Sequence, residues 1–245
     1  MCKIFVNLHI FISMLKFYWW ILVKKDNDIV TNMDTNFLKI IAIISMVIDH
    51  TGYALFSNDL IMRSIGRIAF PLFTYCAMIG YFKTKDLKKY IMRLLFIGLI
   101  SQPIYMLLFN TYNPNIMFTI IFEVLLYYTL DNKKWLFLLF FVVLSFLFRV
   151  DYAITYLFLV PIFYYFRSNK FIMFLAYITF YFNYAISDII YPNNIPACIT
   201  SCAIFALPFI LINTKTNVKV NKYFFYIFYP LHLLIILLIK YFTLM

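Results

Sequence analysis

Long apolar runs, separated by short polar gaps, organise most of this chain. After residue 36 nine such runs are predicted to be membrane helices, because they approach the ~20 residues that a spanning helix needs. They lie at about 37–56, 62–82, 90–109, 116–130, 135–148, 152–166, 171–186, 196–213 and 223–244. A spanning β-barrel would show ~10-residue segments of alternating polarity instead. The predicted fold class is all-α, a polytopic transmembrane helical bundle of about nine spans.

The first 33 residues have two interpretations. The stretch "IFVNLHIFISMLKFYWWILV" at 4–23 is either a tenth span or part of a segment that precedes a true start at Met33. It lacks the small-residue cleavage site of a secretory signal peptide. The chain is therefore divided into an N-terminal extension, 1–33, and one membrane domain, 34–245.

Basic residues concentrate in every second polar gap, and the intervening gaps hold Arg149 as their one basic residue. Cytoplasmic loops of membrane proteins carry such an excess of Lys and Arg. This alternation places the residues before Phe37 in the cytoplasm and predicts a multi-pass protein of the bacterial cytoplasmic membrane. The basic gaps are "KTKDLKK" (83–89), "DNKK" (131–134), "RSNK" (167–170) and "TKTNVKVNK" (214–222).

Composition supports the membrane assignment. Hydrophobic residues make up 65% of the chain and charged residues 13%, whereas soluble domains are about half apolar and a quarter charged. Most of the surface must therefore face membrane lipid. The net charge of +11 is scattered between apolar runs, so no nucleic-acid partner is expected. The four cysteines show no CxxC spacing, and no metal site is predicted.

The first predicted span contains the most informative polar residues. In "KIIAIISMVIDHTG" (39–52), Asp49 and His50 are adjacent and far from the ends of the apolar run. Ionisable groups inside a span are costly and mark a functional site by default. Lys39 lies three turns before His50 on the same face, about 16 Å away along the axis. Asp49 points ~100° away from His50, so its partner is expected on another helix.

The second span supplies that partner. In "RSIGRIAFPLF", Arg63 and Arg67 lie one turn apart near the same end as Asp49. An ion pair between Asp49 and Arg67 would reduce the cost of burying both groups. Pro71 frees a backbone carbonyl and is expected to bend this helix beside the site.

Three further ionisable residues are secondary candidates, and each has a structural alternative. Glu123 lies in mid-span and has either a functional or a pairing role. Asp151 is either functional or part of a polar outer loop. His232 is either functional or a neutral histidine that is hydrogen-bonded inside the bundle.

The chain resembles the TraX family, whose members are associated with conjugal transfer and N-terminal acetylation of pilin. The resemblance rests on "FLKIIAIISMVIDHTGYALF", "RSIGRIAFPLFTYCAMIGYFKTKDLKKYIMRLLFIGLISQPIY", "NIMFTI" and "YIFYPLH" in this order. It runs from about Asn36 to the C-terminus and leaves 1–33 uncovered. Integral-membrane O-acyltransferases, which are more remotely similar, begin with an Arg, ten mostly apolar residues and a His. Here Lys39, ten residues and His50 reproduce that spacing.

The resemblance implies an acetyl-CoA-dependent acyltransferase. His50 would be the base or acyl carrier, Asp49 with Arg67 its electrostatic frame, and Lys39 with Arg63 the contacts to acyl-CoA. The expected acceptor is an amine or hydroxyl, such as a pilin N-terminus or a cell-envelope glycan. The alternative is a proton-coupled transporter or a noncatalytic membrane scaffold of a secretion or conjugation system. Transporters usually show internal repeats and spans that are broken by Gly or Pro. This chain has no evident repeat and only four glycines.

Overall fold

Helices form all the regular structure in the described part of the chain. The computed structural model describes residues 29–56, 59–148, 152–190, 199–216 and 218–244, and within these ranges it contains no strand. The predicted all-α class is confirmed. The predicted span at 4–23 lies outside the described residues.

The helices coincide with the apolar runs of the sequence. Each predicted run is helical where it is described, and the second is divided into two helices. The α-helices are α1 Thr35–Ala54, α2 Leu60–Gly66, α3 Ala69–Lys83, α4 Leu87–Phe109, α5 Ile116–Asp131, α6 Trp135–Leu147, α7 Ala153–Phe166, α8 Lys170–Ile190, α9 Leu207–Leu211 and α10 Lys222–Leu244. A 3₁₀ helix, Cys202–Ala206, leads directly into α9.

The helices differ in length and in hydropathy. Four helical stretches of the described chain are long and apolar enough to cross a membrane, namely Thr35–Ala54, Leu60–Lys83, Leu87–Phe109 and Tyr223–Thr243. Apart from α8, which has 21 residues, the other helices of the described chain are shorter: the 13 residues of α6 extend about 20 Å, less than the ~30 Å hydrocarbon core. The chain is therefore a helical membrane protein. That it crosses the membrane nine times stays a prediction.

The core of the bundle lies around α3. Its side chains Leu72, Tyr75, Met78 and Ile79 are fully buried, because α3 packs between α1, α5 and α7. Helix α1 also packs against α10, which in turn packs against α4. By contrast, α6 leaves Leu136 84% exposed, as expected of an apolar surface that faces lipid.

The second apolar run is broken beside Pro71. Helix α2 ends at Gly66 and α3 begins at Ala69. Pro71 has no N–H to donate to the Arg67 carbonyl, so the helical ladder is interrupted there. The connecting turn is closed by hydrogen bonds from Arg67 N to the Ser64 carbonyl, at 3.2 Å, and from Ile68 N to the Ile65 carbonyl. The regular helix is therefore interrupted beside Pro71, and the bend itself stays a prediction.

The residues just before α1 are part of the packed structure. Thr31 and Asn32 are buried, and the Asn32 amide donates to the Phe209 carbonyl at 2.8 Å and to the Thr214 hydroxyl at 3.0 Å. The Thr31 and Tyr75 hydroxyls share a hydrogen bond of 2.5 Å. The boundary at residue 33 stays a prediction.

Asp34 joins the start of α1 to the segment after α9. Its carboxylate caps α1 by accepting from Phe37 N at 3.2 Å, and it also accepts from Thr216 N at 2.9 Å and from the Thr216 hydroxyl at 2.5 Å. Partial burial raises the pKa of Asp34, but these hydrogen bonds outweigh burial and hold it below the ordinary value of 3.8. A group with a depressed pKa in the folded state stabilises the fold above its unfolded pKa.

We therefore expect Asp34→Ala to lower the free energy of unfolding by about 1–2 kcal/mol at neutral pH. The difference from wild type should persist down to about pH 4 and disappear as the pH falls through the folded pKa of Asp34. Unfolding of the protein in detergent micelles at several pH values measures it.

Asp86 provides the matched control for this prediction. It caps α4 through Lys89 N at 2.9 Å and pairs with the Lys89 side chain at 3.3 Å, all within its own turn. Asp86→Ala should lower the free energy of unfolding by less than Asp34→Ala, because no contact with a second segment is lost. An equal loss in both variants would show that the bonds to Thr216 contribute nothing.

Candidate functional site

A cavity of about 360 Å³ lies within the bundle where α1, α2, α4 and α10 meet the beginnings of α3 and α7. Its wall combines aromatic rings with ionisable side chains that are far apart in the sequence. The polar residues of the wall include Asp49, His50, Arg63, Arg67, Tyr152 and Tyr229. Four of the five site residues predicted on α1 and the second apolar run are thus brought together, namely Asp49, His50, Arg63 and Arg67.

Asp49 lies between two guanidinium groups. Arg63 Nη1 is 2.6 Å from Asp49 Oδ2, and Arg67 Nη2 is 3.7 Å from Asp49 Oδ1. The predicted pair with Arg67 is present, but Arg63 is the closer partner. This follows from the break after Gly66, which ends the regular helix just before Arg67.

Among the described residues of this cluster, positive charges outnumber negative ones. Two guanidinium groups face a single carboxylate, and all three side chains are at most 18% exposed. Arg63 also lies over the Tyr53 ring, with its guanidinium carbon 5.0 Å from the ring centroid. Both guanidinium groups line the cavity, where their positive charge would attract an anionic group of a bound molecule or stabilise negative charge that develops during a reaction.

His50 is oriented by α10 and not by its neighbour Asp49. His50 Nδ1 lies 3.0 Å from His232 Nε2, and the two rings are nearly parallel with centroids 5.2 Å apart. His232 Nδ1 in turn lies 3.0 Å from the Phe228 carbonyl oxygen. The Phe109 ring meets His50 edge-on, with centroids 5.0 Å apart. His232 is thus both a hydrogen-bonded histidine inside the bundle and a direct neighbour of His50.

Tyr152 is a cavity residue that the sequence reasoning missed. Its hydroxyl accepts a hydrogen bond from Arg67, and its ring stacks on Phe70 with centroids 4.3 Å apart. It precedes α7 in a left-handed backbone conformation, with φ 58°. Such a conformation is uncommon for a large side chain and persists where surrounding contacts hold it. A tyrosine at the edge of a polar gap gives no sequence signal of this kind.

Three of the sequence candidates are not among the described residues that line the cavity. Lys39 lies over the Phe225 ring at 5.1 Å, away from the cavity wall as the described residues define it. Glu123 is fully buried on α5, where one carboxyl oxygen is 2.7 Å from the Thr74 hydroxyl. Asp151 lies outside the described residues. The roles assigned to all three stay predictions.

The close approach of α2 to α1 depends on Gly66. A Cβ atom at this position would overlap the side chain of Asp49, so any larger residue forces the carboxylate away from Arg63. We expect Gly66→Ala to lower the free energy of unfolding by about 1–3 kcal/mol, the usual cost of overpacking. Unfolding in detergent micelles measures this change.

Gly98→Ala is the control for this substitution. A Cβ at Gly98 would lie 3.2 Å from the Met117 Cβ, so a small adjustment accommodates it, and we expect a smaller loss. If Gly66→Ala were as stable as wild type, α1 and α2 would be able to separate without cost, and the described position of Asp49 would not be required.

The fold and this cavity define a helical membrane protein with an ionisable centre inside its bundle. The chain belongs to the TraX protein family, whose match covers residues 34–240. It is also similar to "Probable fimbrial assembly protein FimC, serogroup H1" of Dichelobacter nodosus, with 39% identity over 72 residues. That match spans 28% of this chain and 30% of the relative. No solved structure matches the chain.

Proposed function

We propose that this protein is an integral membrane acyltransferase that moves an acetyl group from cytoplasmic acetyl-CoA to an amine or hydroxyl acceptor. The observation that carries the proposal is the position of His50. Its imidazole lines a cavity inside the bundle, next to a cluster with two guanidinium groups and one carboxylate. Acyl transfer needs a base and a means of stabilising an oxyanion, and this arrangement supplies both.

His50 is the base of the proposed reaction. Its Nδ1 is hydrogen-bonded to His232, which leaves Nε2 as the ring nitrogen that accepts a proton. Nε2 takes this proton from the hydroxyl group of the acceptor, or from a neutral amine that has already released its ammonium proton to solvent. The acceptor oxygen or nitrogen then forms a bond to the thioester carbonyl carbon. As the C–S bond breaks, the proton passes from His50 to the leaving sulfur, so that charge and protons balance.

The arginines stabilise the intermediate state. When the acceptor attacks, the carbonyl oxygen becomes negatively charged, and guanidinium N–H groups are strong donors to such an oxygen. Asp49 neutralises one of the two guanidinium groups and holds both in place. Tyr152 accepts from Arg67 and limits the orientation of that side chain.

The cavity is large enough for the reacting groups. Ligand pockets range from about 300 to 1,000 Å³, and this one, at about 360 Å³, accommodates an acetyl thioester together with the reacting end of an acceptor. The nucleotide part of acetyl-CoA would therefore lie outside. Lys39, about 16 Å along α1 from His50, is the proposed contact for its phosphates, as a point charge on the cytoplasmic side.

We further propose that the chain crosses the bacterial cytoplasmic membrane nine times, starting before Phe37 on the cytoplasmic side. The alternation of lysine-rich gaps supports this orientation, and tilt or local thinning of the bilayer accommodates the shorter helices. The acceptor would then be a pilin N-terminus or a cell-envelope glycan, in keeping with the family's association with conjugal transfer and pilin acetylation.

Inverted membrane vesicles test the function. Vesicles from the source organism, with and without the gene for this chain, are incubated with acetyl-CoA labelled in the acetyl group, and label is counted in protein, glycan and lipid fractions. The proposal predicts label that depends on the chain in the protein or glycan fraction. Equal labelling of all fractions in both preparations would contradict it.

A noncatalytic role in fimbrial assembly is the second candidate, and the similarity to the fimbrial assembly protein of Dichelobacter nodosus favours it. A noncatalytic scaffold requires the packing of its helices but no histidine that acts as a base. It would therefore retain full function in a complementation assay after His50→Gln or Asp49→Asn, whereas an acyltransferase would lose function with His50→Gln.

A further inference from the structure

We propose that His232 is a positioning residue that holds His50 in the tautomer with the proton on Nδ1. The role in catalysis rests on the proposed function, whereas the tautomer itself does not. The inference comes from the chain of contacts that runs from the Phe228 carbonyl through His232 to His50.

The donors and acceptors along this series of contacts determine which nitrogen of each imidazole carries the proton. A backbone carbonyl oxygen only accepts hydrogen bonds, so His232 Nδ1, 3.0 Å from the Phe228 oxygen, must carry a proton and donate it. In a neutral imidazole the other nitrogen is then an acceptor. His232 Nε2 therefore accepts from His50 Nδ1, 3.0 Å away. His50 must carry its own proton on Nδ1, and its Nε2 has a lone pair.

The surroundings favour two neutral rings. Two guanidinium groups already line the same cavity as His50, and a further positive charge inside the bundle would be costly. With both rings neutral, one direction of hydrogen bonding satisfies all four atoms of these contacts, namely the Phe228 oxygen, both His232 nitrogens and His50 Nδ1. The opposite direction would leave the Phe228 oxygen facing an unprotonated nitrogen.

The position of the two rings makes this constraint rigid. His232 is 5% exposed, and its ring stacks on Phe228 with centroids 5.4 Å apart. The Phe228 carbonyl belongs to the same helix, one turn earlier, so acceptor and ring move together. A wrong tautomer at a catalytic histidine costs a serine protease about 10⁴ in kcat, which shows how much such a constraint contributes.

Nitrogen NMR of histidine measures the tautomer directly. The chain has three histidines, His9, His50 and His232, so ¹⁵N-histidine labelling of the full chain in lipid nanodiscs gives few signals, and substitution of each residue assigns them. At neutral pH, wild-type His50 should show a protonated Nδ1 and an unprotonated Nε2. A protonated Nε2 on neutral His50 would overturn the proposal.

Two substitutions separate positioning from packing. In His232→Gln the amide nitrogen donates to the Phe228 oxygen and the amide oxygen accepts from His50, so the His50 tautomer should be kept. In His232→Leu both contacts are lost, and His50 should become a mixture of tautomers. Leu234→Gln, on the exposed side of α10, is the control and should leave the His50 signals unchanged.

Transfer activity provides the second measurement. We expect kcat to fall at least tenfold in His232→Leu with little change in KM, and to be largely retained in His232→Gln. If His50 kept its tautomer in His232→Leu, or if His232→Gln lost activity as completely as His232→Leu, the positioning role would be refuted. If no variant and no wild-type sample transferred acetyl groups, the proposed function would fail, while the NMR result would still decide the tautomer.

Discussion

Asp49→Leu is expected to lower the free energy of unfolding by about 3–5 kcal/mol, the usual cost of removing one partner of a buried ion pair. Asp49 is 7% exposed, and its carboxylate contacts Arg63 at 2.6 Å and Arg67 at 3.7 Å. Without it, two guanidinium groups repel each other inside the bundle. Unfolding in mixed detergent micelles, followed by helical circular dichroism, measures the loss.

The double variant Asp49→Leu/Arg63→Leu tests the cause of this loss. It removes the closer guanidinium together with the carboxylate, so Arg67 no longer faces a second guanidinium, and part of the stability should return. If the double variant were no more stable than Asp49→Leu, repulsion between the arginines would not explain the effect, and the packing of α1 against α2 would be the better explanation.

His50→Gln is expected to slow acetyl transfer by about 10²–10⁴-fold, the usual contribution of a general base. The amide of glutamine preserves polarity and much of the volume but cannot take up the acceptor's proton. The loss should appear in kcat, with KM nearly unchanged, because the ground-state contacts of the donor are kept. Initial rates with labelled acetyl-CoA, normalised to the amount of folded protein, provide the measurement.

Ile44→Gln is the matched control for His50→Gln. Ile44 lies on the same helix and is 55% exposed, so the substitution places the same side chain on α1 away from the cavity. Its rate should stay within about twofold of wild type. Equal rates for His50→Gln and wild type would remove His50 from the chemistry, and equal losses in both variants would point to a general effect on α1.

The helical architecture could be predicted because apolar runs and charged gaps alternate along the chain. Asp34 precedes the first apolar run and Asp86 lies within the basic gap 83–89, and each caps the helix that follows, at α1 and α4. The number of membrane crossings could not be predicted as reliably. Hydropathy identifies α6 as apolar, but its 13 residues are shorter than a full span. The length of a helix depends on where it ends, which hydropathy does not determine.

The candidate site was predictable where its residues are close in sequence. Asp49 required a cationic partner, and Arg63 lies in the next helix with Arg67 directly after it, so their meeting depends only on one short connection. The preference for Arg63 over Arg67 depends on the exact place where the helix breaks before Pro71, which residue types alone do not determine.

The contact between His50 and His232 could not be predicted, since 182 residues separate them. Their meeting depends on α10 packing against both α1 and α4. No local sequence pattern indicates which helices the C-terminal helix packs against. Tyr152 was missed for a related reason, because its role follows from the left-handed turn before α7 and from its contact with Arg67.

Chemical modification of His50 tests most directly whether the acetyl donor reaches this histidine. Diethyl pyrocarbonate reacts with unprotonated histidine nitrogens, and mass spectrometry of the digested protein gives the rate at His50 with and without a non-transferable thioether analogue of acetyl-CoA. The proposed function predicts that His50 is modified in the free protein and that the analogue protects it in a saturable manner. Modification at the same rate with a saturating concentration of the analogue, or no modification at all in the free protein, would contradict it.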